Sequence, residues 1–194
     1  MPGVKILSAF AFVTTLAACG GGSSGGDNGV VVPPQRSFAE LTAETNRLSA
    51  KFKRLQATPV ENMPTAGTAR YTGIGGVAIR NTDGTSTAGL GEARVDADFA
   101  RSTISGRINQ IKSDPRGAAV SGEIGLNGTI SRQTVIGTTS GKLTVNGEAF
   151  TTNTNLVGTF AGNTAGAFGA LGEGTAVSAA RRTPVAIVVA TEKQ

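Results

Sequence analysis

The chain contains no histidine and no tryptophan, and only one cysteine and one tyrosine among its 194 residues. Without histidine there is no Ser-His-Asp or Cys-His catalytic set and no imidazole-held zinc or haem. A single thiol excludes a disulfide framework within the chain. Charged residues make up 16% and the formal net charge is +5, but the bases are scattered and almost no aromatics interleave them. Nucleic-acid binding needs a clustered basic face, so no nucleic-acid partner is expected. No apolar run reaches the roughly 20 residues of a membrane-crossing helix. Glycine is abundant instead: its 28 copies are about twice the usual share, without the every-third-residue period of collagen. The length fits one domain with a short appendage.

Residues 1–18 read as an address. Lys5 precedes an apolar run from Ile6 to Leu16, and the small residues Ala17 and Ala18 follow, the layout of a signal peptide. Leu16-Ala17-Ala18-Cys19 resembles the bacterial lipobox. That resemblance implies cleavage before Cys19, a diacylglycerol thioether on its sulfur and an acyl chain (palmitate) on its new amine. Residues 19–36 then form a Gly/Ser/Pro-rich tether in which GGGSSGGDNG follows Cys19, a composition that behaves as a flexible coil. Position 20 is Gly rather than Asp, so the inner-membrane retention signal known from enteric bacteria is missing and the outer membrane is the expected location.

Ser37 and Glu40 have the spacing of a capping box, and Phe38, Leu41, Thr45, Leu48, Phe52 and Leu55 recur at steps of three and four. Acids (Glu40, Glu44) precede bases (Arg47, Lys51, Lys53, Arg54), which complements the helix dipole. The expectation is an amphipathic helix over 37–57, with 38–56 as its body. From residue 69 the period becomes two: Val95, Ala97 and Phe99 alternate with Arg94, Asp96 and Asp98, and Ile104 and Ile108 with Arg107 and Asn109. Such alternation marks half-buried strands. Eight are expected, at 70–80, 90–100, 102–111, 118–126, 129–137, 141–150, 155–161 and 166–178, with Val185–Ala190 closing or lining an edge. Asp83-Gly84, Asn127-Gly128 and Asn146-Gly147 are hairpin dipeptides, and Asp114-Pro115-Arg116-Gly117 suits a type I turn. Glycines inside the strands favour the bends and close packing of a small barrel over a flat sandwich. The fold class expected is mainly β: an eight-stranded antiparallel up-and-down soluble β-barrel over 68–190, preceded by one amphipathic α-helix. Because one strand face must fill the interior, the charged face is the outer one.

Tyr71-Thr72-Gly73, Val95-Asp96-Ala97-Asp98-Phe99 with Ile104-Ser105-Gly106, and Gly158-Thr159-Phe160-Ala161-Gly162-Asn163-Thr164-Ala165 together resemble the β-barrel domain of bacterial surface lipoproteins related to transferrin-binding protein B and factor H binding protein. The likeness covers roughly residues 68–178. The family often has Tyr where Ala161 stands and Pro where Asn163 stands. The resemblance implies a non-enzymatic binding module with a host or periplasmic protein as partner, and a membrane contact made through the lipid anchor. Partner binding in the large iron-acquisition members depends on handle domains and loops beyond one barrel, so transferrin binding itself is not carried over.

Other motifs fall short of the chemistry they suggest. Gly137–Lys142 has Ile at 136 and Leu at 143 where a phosphate loop needs Gly and Ser/Thr, and reads as a hairpin turn. Gly73-Ile74-Gly75-Gly76 lacks dinucleotide spacing. Asp96 and Asp98 beside Arg94 and Arg107 read as a solvated ion-pair face, and Asp83 lies outside any calcium-loop spacing. Tyr71, a conceivable haem ligand, reads as a packed rim residue. No cofactor, metal ligand or catalytic residue is expected; Cys19 is the one site assigned, for lipidation. Two alternatives fit the same pattern: a small membrane-spanning barrel of porin or membrane-integrity type, and a lipocalin-like carrier.

Overall fold

A computed structural model describes residues 35–194; the signal segment, Cys19 and nearly all of the tether lie outside the described residues. Ser37 caps the first helix as its spacing requires. Its backbone N–H donates to the Glu40 carboxylate at 2.7 Å, and its hydroxyl accepts from the Glu40 N–H at 3.3 Å. The helix α1 spans Phe38–Phe52, one turn shorter than expected. Tertiary pairing takes the missing turn: Gly162 N–H donates to Gln56 O, Thr58 N–H donates to Phe160 O, and Ala57 bridges Ala161.

Eight strands follow: β1 (Thr68–Arg80), β2 (Ser86–Asp98), β3 (Thr103–Lys112), β4 (Val120–Ser131), β5 (Thr134–Val145), β6 (Glu148–Ala161), β7 (Ala167–Val177) and β8 (Arg182–Lys193). Each pairs antiparallel with its sequence neighbours, and β8 returns to β1, so the sheet is a closed up-and-down barrel. The run Val185–Ala190 is therefore the heart of the closing strand.

The eight expected ranges fall on seven strands, β1–β7, and β8, expected only as a run that closes or lines an edge, is the eighth. The ranges 129–137 and 141–150 each run across a turn, because the β4–β5 turn falls at Arg132-Gln133 and the β5–β6 turn at Asn146-Gly147. Asn146 and Gly147 hold φ of 49° and 81°, as a type I′ hairpin demands. Asn127-Gly128 is no turn at all. It lies inside β4, paired with Thr138 and Gly137, while Arg132 takes the left-handed conformation (φ 57°) that its residue type does not advertise. Gly137–Lys142 is likewise the middle of β5 rather than a hairpin turn.

The inward face forms one continuous core running from Tyr71, Phe99, Phe160 and Phe168 to Phe150, Val185 and Ile187. Glycine on this face makes room for large side chains from facing strands. A Cβ on Gly158 would stand 2.7 Å from the Phe168 ring, and one on Gly75 would stand 2.5 Å from Ile108. Met63 is buried in the same core. At the far end Arg181 stacks 5.1 Å over the Phe150 ring and donates to the Glu148 carboxylate at 3.0 Å.

The helix flanks the barrel. Leu41 and Leu48 cluster with the outward residues Ile74, Leu90 and Ala190, and Phe52 clusters with Ala161 and Ala167. Arg36 pairs with Glu92 on β2, and both Arg47 and Lys51 pair with Glu192 on β8. Thus α1 crosses the outer wall from β2 over β1 and β8 toward β7.

Candidate binding face

Alternation gives the outer wall two unlike halves. Over β1–β3 it is charged: Asp96 accepts from Arg70 at 2.8 Å and from Arg94 at 3.2 Å, and Asp98 accepts from the Arg101 N–H at 3.0 Å. Burial works to raise the Asp96 pKa, but the Arg70 and Arg94 guanidinium groups outweigh it and hold the carboxyl below its usual range. The expected ion-pair face therefore exists, with Arg70 rather than Arg107 as the second partner. Asp83 accepts from the Thr85 hydroxyl and N–H in a tight turn. Tyr71 is fully buried and donates its hydroxyl to Ala165 O at 2.8 Å, which ties it to the wall as a packed residue.

Over β5–β8 the outward side chains are mostly Thr, Asn, Ala and Val. Asn153, Asn155, Thr151 and Thr175 line a shallow groove of about 440 Å³, with Glu173 and Arg182 as its charged groups and the exposed Val177 also lining it. Beside it runs an apolar row. Ile136 pairs with Val157, Val157 with Leu171, Leu171 with Val188, Val188 with Gly76 and Gly76 with Leu90. Ile136 is 65% exposed and Val157 44%; Leu171 and Val188 are half-buried. Four cross-strand neighbours on one face thus point apolar side chains outward. The sequence carries the signal in Val135-Ile136, Leu156-Val157, Ala170-Leu171 and Val188-Val189, where two apolar neighbours break the alternation.

The chain matches the family model described as the C-lobe and N-lobe beta barrels of Tf-binding protein B over residues 63–182, from Met63 to the first residue of β8. The chain belongs to this family. Solved structures agree on the fold. A single mutant of the vaccine antigen transferrin binding protein B from Haemophilus parasuis superposes with a TM-score of 0.54 at 16% identity, over 72% of this chain and 29% of that one. A double mutant of that antigen gives 0.53 at 18% identity, over 72% and 28%. The isotype 1 protein from serogroup B Neisseria meningitidis gives 0.52 at 19% identity, over 71% and 27%. The chain thus spans under a third of the length of these relatives, corresponding to one barrel of a larger molecule. No curated protein matches it.

Proposed function

We propose that the chain is a lipid-anchored, non-enzymatic binding module held at the outer membrane through Cys19, which engages a protein partner with the outer wall of β5–β8. The observation that carries this reading is a barrel filled from within and left sparsely charged and partly apolar on one outer side. A filled barrel has to bind on its outside, which weighs against the carrier alternative. The spanning alternative meets Arg70, Arg94 and Asp96 on the outer wall, where lipid would have to contact them at high cost. Among the described residues no helix is long and apolar enough to cross a membrane. The family's fold supports a binding role, as the names of its solved members state for those proteins.

The test is Cys19→Ala in cells fed a clickable fatty acid. Loss of label and release of the chain from the membrane fraction are expected. Label retained on the variant overturns the anchor.

A further inference from the structure

The ladder between β3 and β4 stops short of both strands. Pairing covers only Thr103–Ile108 with Thr129–Ile124, although β3 runs on to Lys112 and β4 begins at Val120. The next rungs would join Asn109 to Glu123 and Gln110 to Gly122. Gln110 (φ 53°) and Gly122 (φ 132°) have both left the ordinary strand conformation. On its other side, β3 sets Gln110 and Ile111 against the single Gly91 of β2, a bulge that bends the strand away from β4. Between the parted strands lies a cleft of about 610 Å³, lined by Asn109, Gln110, Gly122, Glu123, Gly125 and Lys142 among others.

The cleft is blind. Ile111 and Val120 are buried beneath it and stand 2.7 and 3.1 Å from the place of a Cβ on Gly89. One end is closed by the Ile108–Ile124 pair. The other is closed by the Val120 N–H, which donates to Ser113 Oγ at 3.2 Å across the seam. Strand edges without a partner take up extended main chain, and the walls offer the amides of Gln110 and Gly122 for it. A segment passing straight through would meet a closed end, so the geometry admits a chain terminus. The free length is that of Asn109–Lys112, about 14 Å at 3.4 Å per residue. Charge selects which terminus. Glu123 is the carboxylate of the cleft, with Lys142 opposite it on β5 and Arg107 opposite Gly125. Neither cation is in an ion pair among the described residues. Arg94, across from Arg107, is held by Asp96, and Lys112 at the far end acts on Glu40 of α1. The Gly125 end is therefore net positive and suits a carboxylate.

We propose that the β3–β4 seam takes the C-terminal tail of another polypeptide, about four extended residues whose main chain pairs with the parted strands and whose carboxylate lies between Arg107 and Lys142. The site is separate from the groove on β6–β8 and goes beyond the binding role given to that wall.

The experiment is photocrosslinking of the full chain in cells of its native host. A benzophenone amino acid replaces Asn109 or Ser140, both of which line the cleft, with a replacement at Val157 reporting on the β5–β8 wall. Adducts at 109 and 140 to one polypeptide are expected, with the linked peptide being the last few residues of that partner. Gly125→Gln fills the cleft without strain, because a Cβ there meets Ser140 O at an ordinary 3.6 Å; it should lower the yield at 109 by tenfold or more. Lys142→Glu, at an exposed position, should do the same by repelling the carboxylate. An unchanged yield in either variant overturns the site. So do adducts to lipid alone or to an internal segment of a partner. Adducts only at Val157 overturn the seam while leaving the β5–β8 reading standing; no adduct at any position overturns both.

Discussion

At the scale of single residues, Tyr71 is a fully buried polar group of the barrel core. Its ring lies 5.7 Å from Phe160, and its hydroxyl supplies the hydrogen bond to Ala165 O. Burial pushes the phenol up to about 12 from its ordinary 10.0. The unfolded chain therefore ionises first as pH rises. The stability tied to Tyr71 is whole below pH 10 and is lost as pH climbs through 12. Because Tyr71 is the only tyrosine, ultraviolet titration reads it alone: the phenolate band should appear late and together with unfolding. An ordinary titration at pH 10 in the folded protein would contradict its burial. Tyr71→Phe leaves the Ala165 carbonyl without its partner and should cost about 1–3 kcal/mol in chemical denaturation. The rigidity of Tyr71 as a packed residue was readable, since a lone aromatic opening an alternating strand has nowhere better to go. The outward apolar row was equally present in the letters, but reading it required the strand registers, because two apolar neighbours look like a buried strand until the facing wall is known.

At the scale of elements, α1 is held by an apolar seat and an ionic clasp. Phe52 rests on Gly169, where a Cβ would come within 2.9 Å of its ring, so Gly169→Val should lift the helix end and cost about 1–3 kcal/mol as an overpacked contact. The clasp is Glu192, whose carboxyl is held below the usual glutamate value of 4.5 by hydrogen bonds from Arg47 and Lys51, against the opposing effect of burial. A depressed carboxylate stabilises above the unfolded value and stops doing so as pH falls through the folded one. Methyl resonances of Ile74 and Leu90 should therefore shift as pH drops below about 4.5, and Glu192→Gln should remove that dependence. A shift that persists unchanged in the variant assigns it to another group. Ser37, Glu40 and the apolar stripe made this helix legible from the sequence, whereas its end was not, because hydrogen bonds from Thr58 and Gly162 to distant partners decide where it stops. The β4–β5 turn was hidden for a related reason: Arg132 adopts a positive φ without a glycine or asparagine to announce it, while Asn127-Gly128 looks like a turn and is paired on both sides.

At the scale of the whole molecule, the side on which charge meets its surroundings decides between an anchored barrel and a spanning one. The inward face is apolar with a few threonines, of which Thr139 and Thr154 satisfy each other at 2.7 Å. The outward face carries Arg70, Arg94 and Asp96 in ion pairs across β1 and β2, and α1 covers part of what is apolar there. A cation facing lipid at the bilayer midplane costs about 2–4 kcal/mol, so several on adjoining strands would oppose insertion more strongly than a modest apolar row could favour it. A chain beginning at Val30, without signal or lipid, should therefore stay in detergent-free buffer with the far-ultraviolet spectrum of a β-barrel, and should melt cooperatively. Deleting residues 30–60 as well uncovers Ile74, Leu90 and Ala190 and should lower the melting temperature by more than about 5 °C, the shift expected when a few kcal/mol are lost from a domain of this size. The two truncations separate two causes of insolubility. If the first needs micelles to fold, the outer wall belongs against lipid and the spanning reading takes over. If only the second aggregates, the wall beneath α1 is the apolar surface at fault, and the barrel itself is one that water can surround.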